Sequence, residues 1–232
     1  MRYHVLASDY DGTLARDDHV DSRTIASLEK FLATGRRLVL VTGRELPELI
    51  EVFPRIDLFE WVVAENGALL YHPASRATRV LADPPPEKFI EALRRRGVSP
   101  LSVGNVIVAT LESHGKTVLQ TIQDLGLEMQ VIFNKRSVMV LPTGINKASG
   151  LTAALKEMKL SAHNAVGIGD AENDHSLLHL CEFSAAVANA LPALKETADF
   201  VAAADHGAGV SELIDRIIAT DLQDVDSSCR GS

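Results

Sequence analysis

Tyr3-His4-Val5-Leu6-Ala7-Ser8-Asp9-Tyr10-Asp11-Gly12-Thr13-Leu14 carries a short apolar run straight into two carboxylates and a glycine. The apolar run reads as a buried strand. The abrupt change after Ser8 reads as a tight turn that aims Asp9 and Asp11 toward one opening. Ligands of open parallel sheets gather outside the carboxyl ends of the strands, so residues just after each strand carry the most information.

Working outward, similar apolar runs at 38–41, 61–64, 165–168, 183–187 and 200–202 read as further strands. Between the first two strands, Ile25, Leu28 and Leu32 fall at helical spacing, with Asp21 or Ser22 as the cap and Gly35 as the stop. Repeated βα units of this kind predict an α/β fold with a Rossmann-like parallel-sheet core. The alternation breaks between Asp83-Pro84-Pro85-Pro86 and Pro142-Thr143-Gly144. The expected organisation is a core from 1–82 and 143–220, a small inserted α+β cap from 83–142, and a flexible tail from 221–232. Within the cap, 87–96 and 113–125 look helical, 105–111 looks like a strand, and 129–133 pairs with 138–141.

The polar residues that follow the strands suggest a chemistry. Two close carboxylates repel each other and invite a divalent cation or a shared proton. A carboxylate is also a competent nucleophile toward phosphorus, which makes Asp9 the candidate nucleophile and Asp11 the candidate acid and base. Taken alone, an Asp-x-Asp-Gly stretch is more often a capping pair before a turn. Thr42-Gly43-Arg44 after the second strand offers a hydroxyl and N–H groups to phosphate oxygens, although Thr-Gly is also an ordinary loop. Lys147 opens a helix, where the dipole disfavours a cation unless a strong anion is near; a lysine reaching into water is the plain alternative. Gly169-Asp170-Ala171-Glu172-Asn173-Asp174 places acids at another helix start, where each could also be a simple cap. Magnesium takes hard oxygen ligands and keeps several waters, so Asp9, the main-chain carbonyl of Asp11, and Asp170 suffice to hold it. Asp174 and Asn173 would then hold waters or Lys147, and Arg44 would bind an anion or form a structural ion pair.

These four segments, in this order, resemble the haloacid dehalogenase superfamily of phosphotransferases. Asp9 through Leu14 is similar to its first motif, Thr42-Gly43-Arg44 to its second, Lys147 to its third, and Gly169 through Asp174 to its fourth. Glu65-Asn66-Gly67-Ala68 and Ala188-Asn189-Ala190 resemble the subfamily whose C2-type cap lies between the second and third motifs. The resemblance implies a magnesium-dependent phosphatase with an aspartyl-phosphate intermediate and a cap that closes over a small phosphorylated metabolite such as a sugar phosphate or phosphoglycolate. A phosphomannomutase-like phosphomutase shares the first motif and is the alternative, with a non-catalytic regulatory module behind it. An acid at Asp11 favours phosphorus over carbon, since dehalogenases of the superfamily lack it.

Composition narrows the function classes. With Lys+Arg 23 against Asp+Glu 31, the net charge of -8 argues against a nucleic-acid surface. No apolar run is long enough to cross a bilayer, no secretory leader precedes the first strand, and only Cys181 and Cys229 are present, so a reducing cytoplasmic setting is expected. His175 and His179 stand four apart without the glutamate a metalloprotease needs between them. Cys181 reads as a small buried apolar residue, and Arg94-Arg95-Arg96 as a solvated helix end. His114, Lys116, Lys135 and Arg136 are the cap's candidates for touching the rest of a substrate.

Overall fold

The computed structural model describes residues 1–134, 136–223 and 225. Strand β1 (Val5–Ser8) is buried throughout and leads to helix α1 (Ser22–Ala33). Asp21 starts this helix by accepting hydrogen bonds from the N–H groups of Arg23 and Thr24, both at 2.8 Å. Leu28 and Phe31 bury one helix face, a gain of about 1.5–3 kcal/mol for each fully buried side chain. The chain returns along β2 (Arg37–Val41), passes through α2 (Leu46–Val52), and enters β3 (Trp61–Ala64). Two strands that the periodicity does not show follow as an antiparallel extension, β4 (Leu69–His72) and β5 (Ala77–Val80). All of β5 faces solvent, so no apolar alternation marks it.

The next elements are α3 (Glu87–Arg95), β6 (Leu101–Val103), β7 (Val108–Leu111), α4 (Gly115–Asp124), β8 (Met129–Asn134) and β9 (Ser137–Pro142). Their strands form a separate antiparallel sheet in the order β6-β7-β9-β8. Period-two alternation gives this sheet two different faces. Val108, Val138 and Val140 pack with Phe89, Leu93, Val118 and Ile122 from the two helices. Met139 and Leu141 turn the other way and pack with Ile107, Val106 and the core residue Ala68. The strand expected over 105–111 begins only at Val108, because the N–H groups of residues 105–107 bond to the Glu65 side chain instead of a neighbouring strand.

The chain then completes the first sheet with α5 (Lys147–Glu157), β10 (Ala165–Gly169), α6 (His175–Leu180), β11 (Phe183–Ala186), α7 (Pro192–Thr197), β12 (Phe200–Val201) and α8 (His206–Thr220). The strand order is β12-β11-β10-β1-β2-β3-β4-β5, parallel from β12 to β3. Chain progression reverses between β1 and β10, which makes their carboxyl ends the switch point where open α/β sheets bind ligands.

The tail expected from 221 is anchored further along. Asp221 accepts a hydrogen bond from the buried Arg36 at 3.0 Å, and Leu222 and Val225 are buried in the core. Residues 226–232, including Cys229, lie outside the described residues, as does Lys135. Among the described residues no helix is long and apolar enough to cross a membrane.

Candidate active site

Asp9 follows β1 directly, and its N–H continues the sheet by donating to the Ile168 carbonyl at 3.1 Å. Asp170 follows β10, and its Oδ1 accepts a hydrogen bond from the buried Thr13 hydroxyl at 3.2 Å. Asp174 fixes the turn after β10: its Oδ2 accepts from the N–H groups of Asp170 and Ala171, both at 3.0 Å. Lys147 is the first residue of α5, whose start is capped by Asn146 accepting from the Ser149 N–H at 3.0 Å. Its Nζ lies 2.6 Å from Asp9 Oδ1 and 2.5 Å from Asp174 Oδ1. Two strand ends and one helix start therefore bring Asp9, Lys147, Asp170 and Asp174 into one cluster.

All four residues are buried, with Lys147 only 1% exposed. Burial alone would push the ammonium toward neutrality, but the carboxylates of Asp174 and Asp9 outweigh it and hold Lys147 above its ordinary range. Burial and repulsion from Asp174 hold Asp9 well above the usual carboxylate range, against the pull of Lys147. Asp9, Asp170 and Asp174 each offer an oxygen within 4.8 Å of the others. One ammonium among three carboxylates leaves the cluster short of positive charge, and hard oxygen donors at this spacing fit a hard divalent cation.

Asp11 stands apart from this cluster. Its carboxylate accepts from Arg44 Nε at 2.8 Å and Arg44 Nη2 at 2.6 Å, while Arg44 Nη1 donates to Glu48 at 2.8 Å and Nη2 also pairs with Asp18. Burial opposes the charge on Arg44, but these carboxylates more than compensate and hold its pKa above the ordinary value. Arg44 thus forms structural ion pairs in this arrangement. The buried Thr42 hydroxyl accepts from the Arg44 N–H at 3.1 Å, which closes the loop through Gly43.

A cavity of about 310 Å³ opens above Asp9, Asp11 and Gly43, between the two sheets. Asn173 lines it beside the acidic cluster, and its side-chain amide donates to Asn66 Oδ1 at 3.1 Å. From the smaller sheet come Ala109 and Met139 with Ser102, Asn134 and Ser137, and from the loop before β7 comes Ile107. The Asn134 Oδ1 is buried without a hydrogen-bond partner. Apart from Asn173, none of these lining residues stood out in the sequence, since a serine, an asparagine or a methionine in a strand has no distinctive spacing. The sequence candidates His114, Lys116 and Arg136 do not line the cavity, and His114 Nε2 lies 3.0 Å from the Ser99 carbonyl oxygen. His175 and His179 lie on α6 and take no part in the acidic cluster, which is the one group of potential metal ligands found among the described residues. Burial pushes the Cys181 thiol up to about 12, which suits a packing role.

Comparison with known proteins gives a consistent picture. The haloacid dehalogenase-like hydrolase family matches residues 6–106 and 99–214. A phosphoglycolate phosphatase from Saccharolobus solfataricus is 29% identical over 220 residues, covering 93% of this chain and 92% of its own. Another from Methanothermobacter thermautotrophicus is 30% identical over 221 residues, covering 92% of this chain and 98% of its own. A crystal structure from Thermoplasma acidophilum shares the fold, with a TM-score of 0.80 at 19% identity over 94% of this chain and 99% of that one.

Proposed function

The chain belongs to the haloacid dehalogenase-like hydrolases and is a phosphatase, and from that premise we propose that it hydrolyses a small phosphorylated metabolite through a phosphoaspartyl intermediate on Asp9. The observation that carries this reading is Lys147 bridging Asp9 and Asp174 beneath the cavity, with Asp170 beside them. A carboxylate oxygen of Asp9 attacks phosphorus and the ester bond to the leaving oxygen breaks. Asp11 delivers a proton to that oxygen. Water then attacks the phosphoaspartate, Asp11 takes back a proton, and inorganic phosphate leaves while Asp9 is regenerated.

Lys147 pulls Asp9 toward its ionised form and orients it, and with the Thr42-Gly43 loop it faces the charge on the transferred group. The donor set fits magnesium, with Asp9, Asp170 and the main-chain carbonyl of Asp11 as its holders. When bound it supplies positive charge against the phosphoryl oxygens. Asp174 commits one oxygen to Lys147 and the other to two N–H groups, so it organises the loop. The cavity wall from the smaller sheet, with Ser102, Asn134 and Ser137, contacts the part of the substrate that leaves.

Phosphoglycolate and sugar phosphates are the proposed substrate classes, the former supported by what the relatives above are named for. A panel of phosphoglycolate, sugar phosphates and nucleotides, assayed with magnesium at neutral pH, tests the reading. Stoichiometric release of inorganic phosphate from at least one member is expected. Isomerisation of a hexose 1-phosphate with little free phosphate would replace hydrolysis by a mutase reaction.

A further inference from the structure

Glu65 follows β3 and is completely buried, yet its carboxylate does not take part in the acidic cluster. It reaches instead into the smaller sheet's domain. Oε1 accepts from the main-chain N–H of Asn105 at 2.9 Å and from its side-chain amide at 2.8 Å. Oε2 accepts from the N–H groups of Val106 at 2.7 Å and Ile107 at 3.0 Å. Three successive N–H groups converging on one carboxylate make an anion-binding concavity, here filled by a side chain from the other domain. Gly104 lets the loop come this close: a Cβ there would lie 2.9 Å from the Glu65 carboxylate and 2.9 Å from Ile107 Cγ2.

The backbone around Glu65 is equally committed. Glu65, Asn66 and Gly67 hold φ values of 50, 53 and 109° in succession, a left-handed run that an L-residue such as glutamate adopts only under constraint. The constraint is visible in its contacts. The Glu65 N–H donates to the Arg44 carbonyl and the Asn66 N–H to the Thr42 carbonyl, both at 2.9 Å. Gly67 passes so near Asn146, the cap of the helix that begins with Lys147, that a Cβ would meet its carbonyl oxygen at 1.9 Å.

We propose that Glu65 is a positioning residue that clamps the 104–107 loop of the cap to the Thr42-Gly43-Arg44 segment, so that one side chain sets the spacing between the phosphate end of the cavity and the wall that meets the leaving group. Ile107, the last residue in the clamp, lines that cavity with Ser102 and Ala109. The clamp acts through the wall, so its loss weakens the hold on the leaving portion of the substrate while Asp9, Asp11 and Lys147 stay in place. This consequence for substrate rests on the phosphatase reading above; the clamp itself does not.

The test compares the wild type with Glu65→Gln by amide hydrogen exchange and by kinetics on p-nitrophenyl phosphate with magnesium. Glutamine keeps one acceptor but turns an NH2 group toward donors. Exchange at Asn105, Val106 and Ile107 is expected to quicken about tenfold or more while β1 and β10 keep their protection. KM is expected to rise about fivefold or more with kcat within about twofold, the pattern of lost uniform binding. Gly104→Ala displaces the loop from the opposite side with Glu65 intact and is expected to act in the same direction, and it decides the matter if Glu65→Gln does not fold. Wild-type exchange rates at 105–107 in the folded variant would overturn the clamp. Faster exchange with an unchanged KM would overturn its positioning role. If the wild type hydrolyses no ester, the phosphatase reading fails, and the exchange data alone still decide the clamp.

Discussion

Arg44 grips Asp11 through both carboxylate oxygens, with Nε 2.8 Å from Oδ2 and Nη2 2.6 Å from Oδ1. The grip keeps this carboxylate apart from the oxygens of Asp9, Asp170 and Asp174, which lie within 4.8 Å of one another. Two neighbouring carboxylates, two positions apart in the chain, thereby receive different surroundings: Asp9 faces a buried ammonium, and Asp11 faces a guanidinium at the cavity's edge. In the proposed reaction these different surroundings let Asp9 attack while Asp11 carries protons.

Removing the guanidinium should therefore disturb Asp11 specifically. Arg44→Ala is expected to lower kcat/KM about 10- to 100-fold, the scale of losing the placement of a reacting group. Arg44→Lys should recover little of it, because an ammonium cannot reproduce the two-pronged contact. Steady-state kinetics on the best substrate of the panel measures both, and full recovery by lysine would show that charge alone suffices.

Among the described residues, Lys147 is the counter-charge that pairs with Asp9 and Asp174. Lys147→Met leaves buried carboxylates unpaired and is expected to cost about 3–5 kcal/mol in urea unfolding without metal, together with loss of turnover. Magnesium should return more stability to this variant than to the wild type, because the cluster it binds is more negative. Equal stabilisation of the two proteins would indicate that the cation binds elsewhere.

Asp21 gives a test of the fold away from the cavity. Asp21→Ala removes the cap of α1 and should cost about 1 kcal/mol at neutral pH. The Thr24 N–H chiefly holds the Asp21 carboxyl below the ordinary carboxylate value, so the folded pKa is the lower one. The cap's contribution is complete above that value and is lost as pH falls through the folded pKa. The stability gap between wild type and variant should thus shrink toward acid; a gap that widens there would assign the effect to another group.

How much of this was legible beforehand follows from the kind of signal each feature leaves. The parallel core could be read because its strands are continuous apolar runs separated by helical spacing. Asp9 and Asp170 could be found because they stand immediately after such runs, and Lys147 because a cation at a helix start needs an explanation. β5 left no signal because every residue in it is exposed. The start of β7 was misplaced because Asn105, Val106 and Ile107 spend their N–H groups on a carboxylate forty residues away in the chain. The role of Arg44 was equally hidden, since its choice between an anion and an ion pair depends on Asp11 and Asp18 folding back beside it.

The cavity wall supplies a further expectation. Asn134 lines the cavity, and its Oδ1 is a buried acceptor without a hydrogen-bond partner. Asn134→Ala should raise KM about 2- to 10-fold, the worth of one hydrogen bond, with a smaller change in kcat. Parallel KM measurements across the panel would show the largest change for the substrate that donates to it, and a uniform absence of change would remove Asn134 from recognition.

The central claim is that Asp9 carries the phosphoryl group. Rapid acid quenching during turnover with magnesium, followed by peptide mass mapping, tests it directly in the wild type and in Asp9→Asn. The wild type is expected to carry one added phosphoryl group on the peptide containing Asp9, and the folded Asn variant is expected to carry none and to release no phosphate. Full magnesium-dependent turnover by folded Asp9→Asn would contradict the claim.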